Sequence, residues 1–282
     1  MTDTMTRPGH LSNSQFSSYS DCGEKWRLRY LTDAPRQPQG ALIAGIAVHD
    51  TIEHAYREGW HEAPYDHQDE LVGYFSDLIQ TGVTEAHEDP TAIIRWGGRK
   101  SKAWPMGEDL DWWLQSGPVM LQRWADVVPH DAEVGNQVWA TGDDPVAGIE
   151  LSVTVPVPGI DIPVTGRIDA LMIDANGQPF VRDWTTGKPG GKTPLQGGLY
   201  SWCLKEADGF GMEVERVEYA YLKGADMDAV LQSFDPRPFQ DAAIQNFVMM
   251  DAGVTAGVFM LRPSSFCSSC EVKSSCSYGR TL

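Results

Sequence analysis

Two adjacent β-strands that each carry an aspartate constrain this chain more than any other stretch. Residues Val164–Ile173 and Gln178–Thr185 are rich in β-branched and apolar side chains, and the turn residues Ala175–Gly177 between them predict a hairpin. A three-residue loop sets Asp169 directly opposite Asp183, with Cβ atoms roughly 4.5–5.5 Å apart, whereas a two-residue loop sends them to opposite faces. Directly opposed like charges are destabilising unless a cation lies between them. The hairpin therefore predicts a metal site.

Length and charge restrict the kind of protein. At 282 residues the chain can bury one sizeable core with insertions, or at most two domains. No apolar run approaches the roughly 18–20 residues that span a bilayer, and the N-terminus lacks a signal-peptide pattern, so we expect a soluble cytoplasmic protein with no membrane partner. The net charge of −17 argues against general coating of DNA, but it allows positive charge confined to one groove.

Outside the hairpin, helical and strand patterns alternate. Helices are expected over Leu11–Leu31 with an N-cap at Ser12, Ala41–Tyr56, most of 66–128, Thr193–Glu206 and Phe239–Asp251. Further strands are expected near Asn136 and over Ile149–Val155 and Val214–Leu222.

The cysteines predict a soft metal centre. Cys267, Cys270 and Cys276 form a Cys-x2-Cys-x5-Cys motif in a polar segment, which suits one metal centre better than disulfides in a reducing compartment. Four thiolates suit either a [4Fe–4S] cluster or Zn²⁺, and the spacing alone does not separate them. Cys203 lies on an apolar helical stripe and is assigned to the core.

The hairpin motif resembles the PD-(D/E)XK nuclease superfamily, in which an Asp on one strand and an acidic-x-Lys on the next hold a divalent ion. GRID at 166–169, VRDWTTGK at 181–188 and Gln196-x-x-x-Tyr200 look like the RecB-like branch, and the likeness spans about residues 11–280. It implies an α/β fold with a restriction-endonuclease-like core, a central mixed sheet flanked by helices. The expected organisation is one RecB-like domain over 1–282, with a helical insertion at about 57–132 and a Cys-rich cluster-binding segment at 259–282.

The resemblance also implies a site. His49, in AGIAVHDTIEH, matches the histidine that completes the RecB-like metal site, so His49, Asp169 and Asp183 are the expected ligands of Mg²⁺ or Mn²⁺. Gln196 and Tyr200 share a helix face and match a motif that lies beside the scissile phosphate in the family. Glu150, at the start of the strand that leads into the hairpin, is a further candidate to line the site.

An iron–sulfur cluster is the second implied cofactor. RecB-like nucleases with such a cluster pair one N-terminal cysteine with a C-terminal triad, which names Cys22 as the fourth ligand beside Cys267, Cys270 and Cys276 and favours [4Fe–4S] over zinc. The cluster would join the two ends of the chain.

Thr185 departs from the family pattern because it stands where the family has its catalytic lysine. Threonine supplies neither positive charge nor a useful base. Three accounts follow: an engineered inactive variant, a natural non-cleaving descendant, or rescue by Lys188 reaching back into the site. In each account Asp169 and Asp183 still bind metal. The chain as it stands is expected to cut weakly, whereas brisk cutting that depends on Lys188 would favour the rescue account.

The function implied by the resemblance is a deoxyribonuclease, a metal-dependent DNA exonuclease that favours single-stranded ends in recombination, repair, phage replication or CRISPR adaptation, with protein partners of those processes. A basic island at 95–102, with Trp96 and Trp104, either grips phosphates and stacks bases or is a solvated loop. The alternatives are a non-catalytic DNA-binding or partner-docking module, favoured by Thr185, and a zinc-clasped protein of unrelated function.

Overall fold

The computed structural model describes residues 7–89, 92–98, 100–102, 104–190, 192–223 and 229–282. Arg99 of the basic island lies outside the described residues. Within those ranges, no helix is long and apolar enough to cross a membrane.

A mixed β-sheet of seven strands lies at the centre of the described chain. Its strands are β1 (Leu11–Ser12), β2 (Gln137–Val138), β3 (Ile149–Val155), β4 (Val164–Ile173), β5 (Pro179–Thr185), β6 (Val217–Tyr221) and β7 (Val230–Phe234). Strand β4 pairs with β1 in parallel and with β2, β3 and β5 in antiparallel orientation. Strand β6 then runs parallel to β5 and antiparallel to β7.

The β4–β5 hairpin has the three-residue loop that the sequence predicts. The Asp174 amide donates to the Gln178 carbonyl at 2.9 Å, which leaves Ala175–Gly177 as the loop. Gly177 has a φ of 78°, which glycine adopts at little cost. The ladder pairs Ala170 with Arg182, and one step further in the same register sets Asp169 opposite Asp183.

Seven α-helices surround the sheet in the described ranges. They are α1 (Asn13–Asp21), α2 (Gly23–Tyr30), α3 (Gly40–Arg57), α4 (Gln68–Ala86), α5 (Leu110–Val134), α6 (Pro194–Glu206) and α7 (Gln240–Thr255). Helix α6 lies between the parallel strands β5 and β6, because parallel neighbours need a crossover connection. The result is the mixed sheet flanked by helices that the sequence predicts.

Two hydrophobic cores cover the two faces of the sheet. Alternate side chains of β5 serve both: Phe180 and Trp184 pack with α3, α4 and α5, whereas Val181 packs with α1, α2, α6 and α7. Helices α4 and α5 thus lie against α3 and the sheet. The helical insertion at about 57–132 stays a prediction. The division of the chain into domains stays a prediction.

Two elements differ from the expectation. The region Leu11–Leu31 is not one helix, because Cys22 has extended backbone (φ −162°, ψ 109°) and separates α1 from α2. Ser12 does cap α1, accepting from the Gln15 amide at 3.4 Å. Strand β7 was not predicted, since only its ends are half-buried and its sequence lacks the alternation of a strand with one buried face.

A buried ionic network ties α5 to the sheet next to the hairpin aspartate. Arg182 is almost fully buried, pairs with Asp131 of α5 and contacts a Glu218 oxygen at 2.7 Å. Arg182 and Asp183 are consecutive and therefore point to opposite faces. The network holds the face of β5 that carries Arg182, while Asp183 on the opposite face points to the candidate site.

Candidate metal centre

Three side chains from separate segments converge on β4. His49 from α3, Glu150 from β3 and Asp169 from β4 offer ligand atoms that all lie within 4.8 Å of one another. His49 Nδ1 is 3.6 Å from a Glu150 oxygen and 3.6 Å from an Asp169 oxygen. Asp169 is also held by the Trp184 amide, which donates to its Oδ2 at 2.8 Å. Two carboxylates with one imidazole can hold a divalent cation, and the oxygen-rich set suits Mg²⁺ or Mn²⁺.

Glu150 reaches this group through an unusual backbone. Its φ of 51° is the positive value found at a non-glycine residue among those described. Such a conformation costs on the order of 1–3 kcal/mol and is often found at functional sites. The kink aims one Glu150 oxygen at His49 while the other accepts from Arg167 Nε at 2.6 Å.

Asp183, the third expected ligand, is held by a ring of donors. Its side chain is only 2% exposed. Gln196 Nε2 donates to Oδ2 at 2.9 Å, the Tyr200 hydroxyl lies 3.4 Å from the same oxygen, and the Thr185 hydroxyl donates to Oδ1 at 3.1 Å. Gln196 and Tyr200 thus share the face of α6 that contacts this carboxylate. Within the described chain, the compact group contains Glu150 in place of Asp183, although the charge of Asp183 still acts on His49 and Asp169.

The electrostatics show an excess of negative charge. Burial raises the pKa of Asp169, His49 opposes the rise, and the charges of Asp183 and Glu150 add to it, which brings the pKa to about 7. Burial lowers the pKa of His49, but Asp169 and Glu150 outweigh that effect and raise it to about 9. Burial raises the pKa of Glu150, but His49 and Arg167 reverse the shift and lower it. A divalent cation would supply the positive charge that the cluster lacks, and His49 would release its proton to bind it.

A lysine absent from the sequence-based site approaches Asp183. Lys192 Nζ lies 3.1 Å from Asp183 Oδ1, the oxygen that Thr185 also contacts, and 3.3 Å from Gln196 Oε1. Lys188 is exposed on the loop between β5 and α6, and its role stays a prediction. The sequence signal for Lys192 is its position four residues before Gln196, just ahead of α6.

The basic island is anchored to the chain beside α3 instead of extending freely. Arg95 pairs with Gln39 in an isolated bridge, and its guanidinium donates to the Ser268 carbonyl at 3.2 Å. Trp96 packs against Gly40, where a Cβ would come within 2.1 Å of the indole. Lys100 and Lys102 are exposed. The first part of the island therefore connects α3 to the C-terminal segment.

Four of the five cysteines line one cavity. Cys22, Cys267, Cys270 and Cys276 surround a space of about 490 Å³. In the described chain no three of their sulfurs lie within 4.8 Å of one another, so they do not form a compact group. Burial raises the pKa of Cys270, and the nearby Glu271 and Cys22 add to the shift. Cys203 is fully buried in the core, as the sequence predicts.

Known proteins match nearly the whole chain. A family model described as PD-(D/E)XK nuclease superfamily matches residues 10–277. The chain is similar to the "Gene 69 protein" of Mycobacterium phage L5, with 23% identity across 98% of this chain and 99% of that protein. The solved structure titled "Crystal structure of SSO0001" aligns over 94% of this chain and 95% of its own, with 10% identity and a TM-score of 0.38.

Proposed function

This chain belongs to the PD-(D/E)XK nuclease superfamily, whose members are metal-dependent nucleases, and we propose that it is an exonuclease that digests single-stranded DNA from an end. The convergence of His49, Glu150 and Asp169 beside Asp183 is the observation that carries this function. It is a half-buried group rich in negative charge, formed by α3 and by the strands β3 and β4, and β4 carries the first aspartate of the family motif. RecB-like character follows from GRID, VRDWTTGK and Gln196-x-x-x-Tyr200 together.

The chemistry is hydrolysis of a phosphodiester. A water oxygen bonds to phosphorus as the bond to the bridging ester oxygen breaks; one hydrogen of the water stays on the new phosphate and the other passes to the leaving oxygen. A divalent cation supplies a more acidic water and offsets phosphate charge. His49, Glu150 and Asp169 would hold the cation, and Gln196 and Tyr200 contact the neighbouring Asp183 and orient its carboxylate.

Side chains around the site suit a single strand. Leu42 and Ile46 precede His49 by seven and three residues on one stripe of α3, and they are 52% and 50% exposed. Unpaired bases offer apolar faces that such side chains can cover, whereas a duplex hides them. Arg167, 64% exposed beside Glu150, provides a cation for a phosphate. A single exposed arginine and two apolar side chains beside an acidic site are compatible with the net charge of −17.

The cysteine cavity supports the second cofactor, a [4Fe–4S] cluster on Cys22, Cys267, Cys270 and Cys276. All four cysteines line a space of about 490 Å³. Zinc with bonds of ~2.3 Å would hold sulfurs about 3.8 Å apart. In the described chain no three of these sulfurs lie as close together as a zinc site would hold them. A purified cluster protein is brown and absorbs visible light, whereas a zinc protein is colourless.

The nuclease proposal is tested on linear and circular single-stranded DNA of the same sequence. With Mn²⁺ or Mg²⁺ we expect labelled linear DNA to be shortened from an end while the circle persists, and EDTA should stop the reaction. Equal cleavage of the circle would contradict digestion from an end. The phage relative favours a setting in phage DNA replication or recombination, with the protein partners of those processes; CRISPR adaptation is the other setting that the RecB-like motif suggests.

Thr185 favours one second candidate, a non-catalytic DNA-binding or partner-docking module. Its hydroxyl contacts Asp183 but brings no charge to a phosphate. Binding of single-stranded DNA without any metal-dependent cleavage, by both the natural chain and its Thr185→Lys variant, would establish this candidate and exclude the nuclease.

A further inference from the structure

We infer that Lys192 is the catalytic lysine of this chain and supplies, from the start of α6, the positive charge that Thr185 lacks. The inference rests on the proposed nuclease function. Lys192 Nζ and the Thr185 hydroxyl both lie 3.1 Å from the same atom, Asp183 Oδ1. The ammonium of Lys192 therefore contacts the same carboxylate that the side chain of residue 185 contacts.

The position of Lys192 is built into the fold. The next residue, Thr193, is the N-cap of α6, and its carbonyl accepts from the Tyr219 hydroxyl at 2.7 Å. Tyr219 is buried on β6, so the backbone beside Lys192 is tied to the sheet. Gln196 Oε1 lies 3.3 Å from the ammonium. Fixed neighbours of this kind preorganise a charge, which is how such groups stabilise a transition state.

Exposure fits contact with a substrate. The Lys192 side chain is 30% exposed, whereas that of Asp183 is 2% exposed. The ammonium meets buried Asp183, and the Lys192 side chain as a whole remains partly open to solvent. A phosphate above the metal centre can approach this open side, where the lysine offsets the charge that develops on its oxygens. Lys188 lies in the exposed part of the loop, and the rescue expected of it is compared with that by Lys192 in the test below.

The test compares Lys192→Gln, Lys192→Arg and Lys188→Gln with the natural chain, and Lys205→Gln at the exposed end of α6 is the matched control. Single-turnover cleavage of labelled single-stranded DNA should fall ~10²–10³-fold in Lys192→Gln. Lys192→Arg should keep much of the rate, and Lys205→Gln all of it. Mn²⁺ affinity, measured by calorimetry, should be unchanged or tighter in Lys192→Gln because the ammonium no longer competes for Asp183.

A transfer of the charge sharpens the test. The double variant Thr185→Lys/Lys192→Gln should recover most of the lost rate, and thermal unfolding would verify that each variant is folded. Undiminished cleavage by Lys192→Gln would overturn the inference, as would a parallel loss of Mn²⁺ affinity, which would mean that Lys192 only holds Asp183 in place. A larger loss in Lys188→Gln than in Lys192→Gln would also overturn it.

Failure of this inference is distinguishable from failure of the nuclease function. If the natural chain is inactive but Thr185→Lys cuts, Lys192 does not replace the missing lysine and the chain retains a nuclease site. If neither cuts with either metal, the nuclease proposal itself is wrong.

Discussion

The metal centre draws its side chains from regular elements, whereas the cysteine cavity is lined by turns and chain ends. His49 lies within α3, and Glu150 and Asp169 lie on neighbouring strands. Cys22 instead lies at the break between two helices, and Cys267 lies in a short 3-10 turn at Ser265–Ser269. Backbone hydrogen bonds of helix and sheet therefore position the first group, while the second relies on contacts between distant segments.

Those contacts include ion pairs, hydrogen bonds to backbone carbonyls and ring stacking. Arg29 of α2 pairs with Glu271 at 2.9 Å, and Trp26 stacks on Phe259 with ring centroids 6.0 Å apart. The metal centre should therefore keep its shape without an ion. The cysteine region, which lies largely in turns, should depend more on the group that joins its sulfurs.

The largest expected effect separates activity from stability at the metal centre. Asp169→Asn keeps an oxygen for the Trp184 amide but removes a ligand charge, so cleavage should fall by more than about 10³. Without divalent metal the melting temperature of the variant should equal or exceed that of the unchanged protein, because the substitution removes a negative charge that lies close to those of Glu150 and Asp183. Asp161→Asn, at an exposed aspartate before β4, is the matched control. A cooperative loss of structure in Asp169→Asn would show that the site is not preformed.

The next effect concerns the cysteine region. Cys22→Ala should lose iron and lower the free energy of unfolding by about 2–4 kcal/mol, as for loss of a cross-link that closes a long loop. Cys203→Ala should retain iron, since that thiol is buried in the core. Iron content and denaturant unfolding of anaerobically purified protein measure both. A full iron complement in Cys22→Ala would contradict the proposal that the cluster links the two ends of the chain.

The smallest effect measures the strain stored beside the metal. Glu150→Gly and Glu150→Ala both remove the carboxylate and should weaken Mn²⁺ binding alike. Only glycine adopts a φ of 51° freely, so the glycine variant should be about 1 kcal/mol more stable than the alanine variant. Equal denaturation midpoints would mean that the kink costs nothing.

Much of the fold and part of the site were accessible from the sequence because they depend on short-range rules. Strand alternation and turn chemistry predicted the β4–β5 register, which the observed pairs confirm. Helical spacing predicted that Gln196 and Tyr200 share a face, and both contact Asp183. The edge strand β7 was not predicted because it buries little and so lacks an alternating pattern. The break at Cys22 was not predicted because the helical spacing continues across it.

By itself the sequence determined which residues share a strand face or a helix face, because backbone periodicity decides those relations within a few residues. Only the tertiary structure decided that Glu150 joins His49 and Asp169, since a single strained φ angle redirects its carboxylate. The approach of Lys192 to Asp183 likewise depends on the packing of α6 against β5 and β6, and the common cavity of Cys22 and the C-terminal cysteines depends on the docking of α2. These relations join segments that are distant along the chain, and they are set by the burial of two cores, which no local pattern encodes.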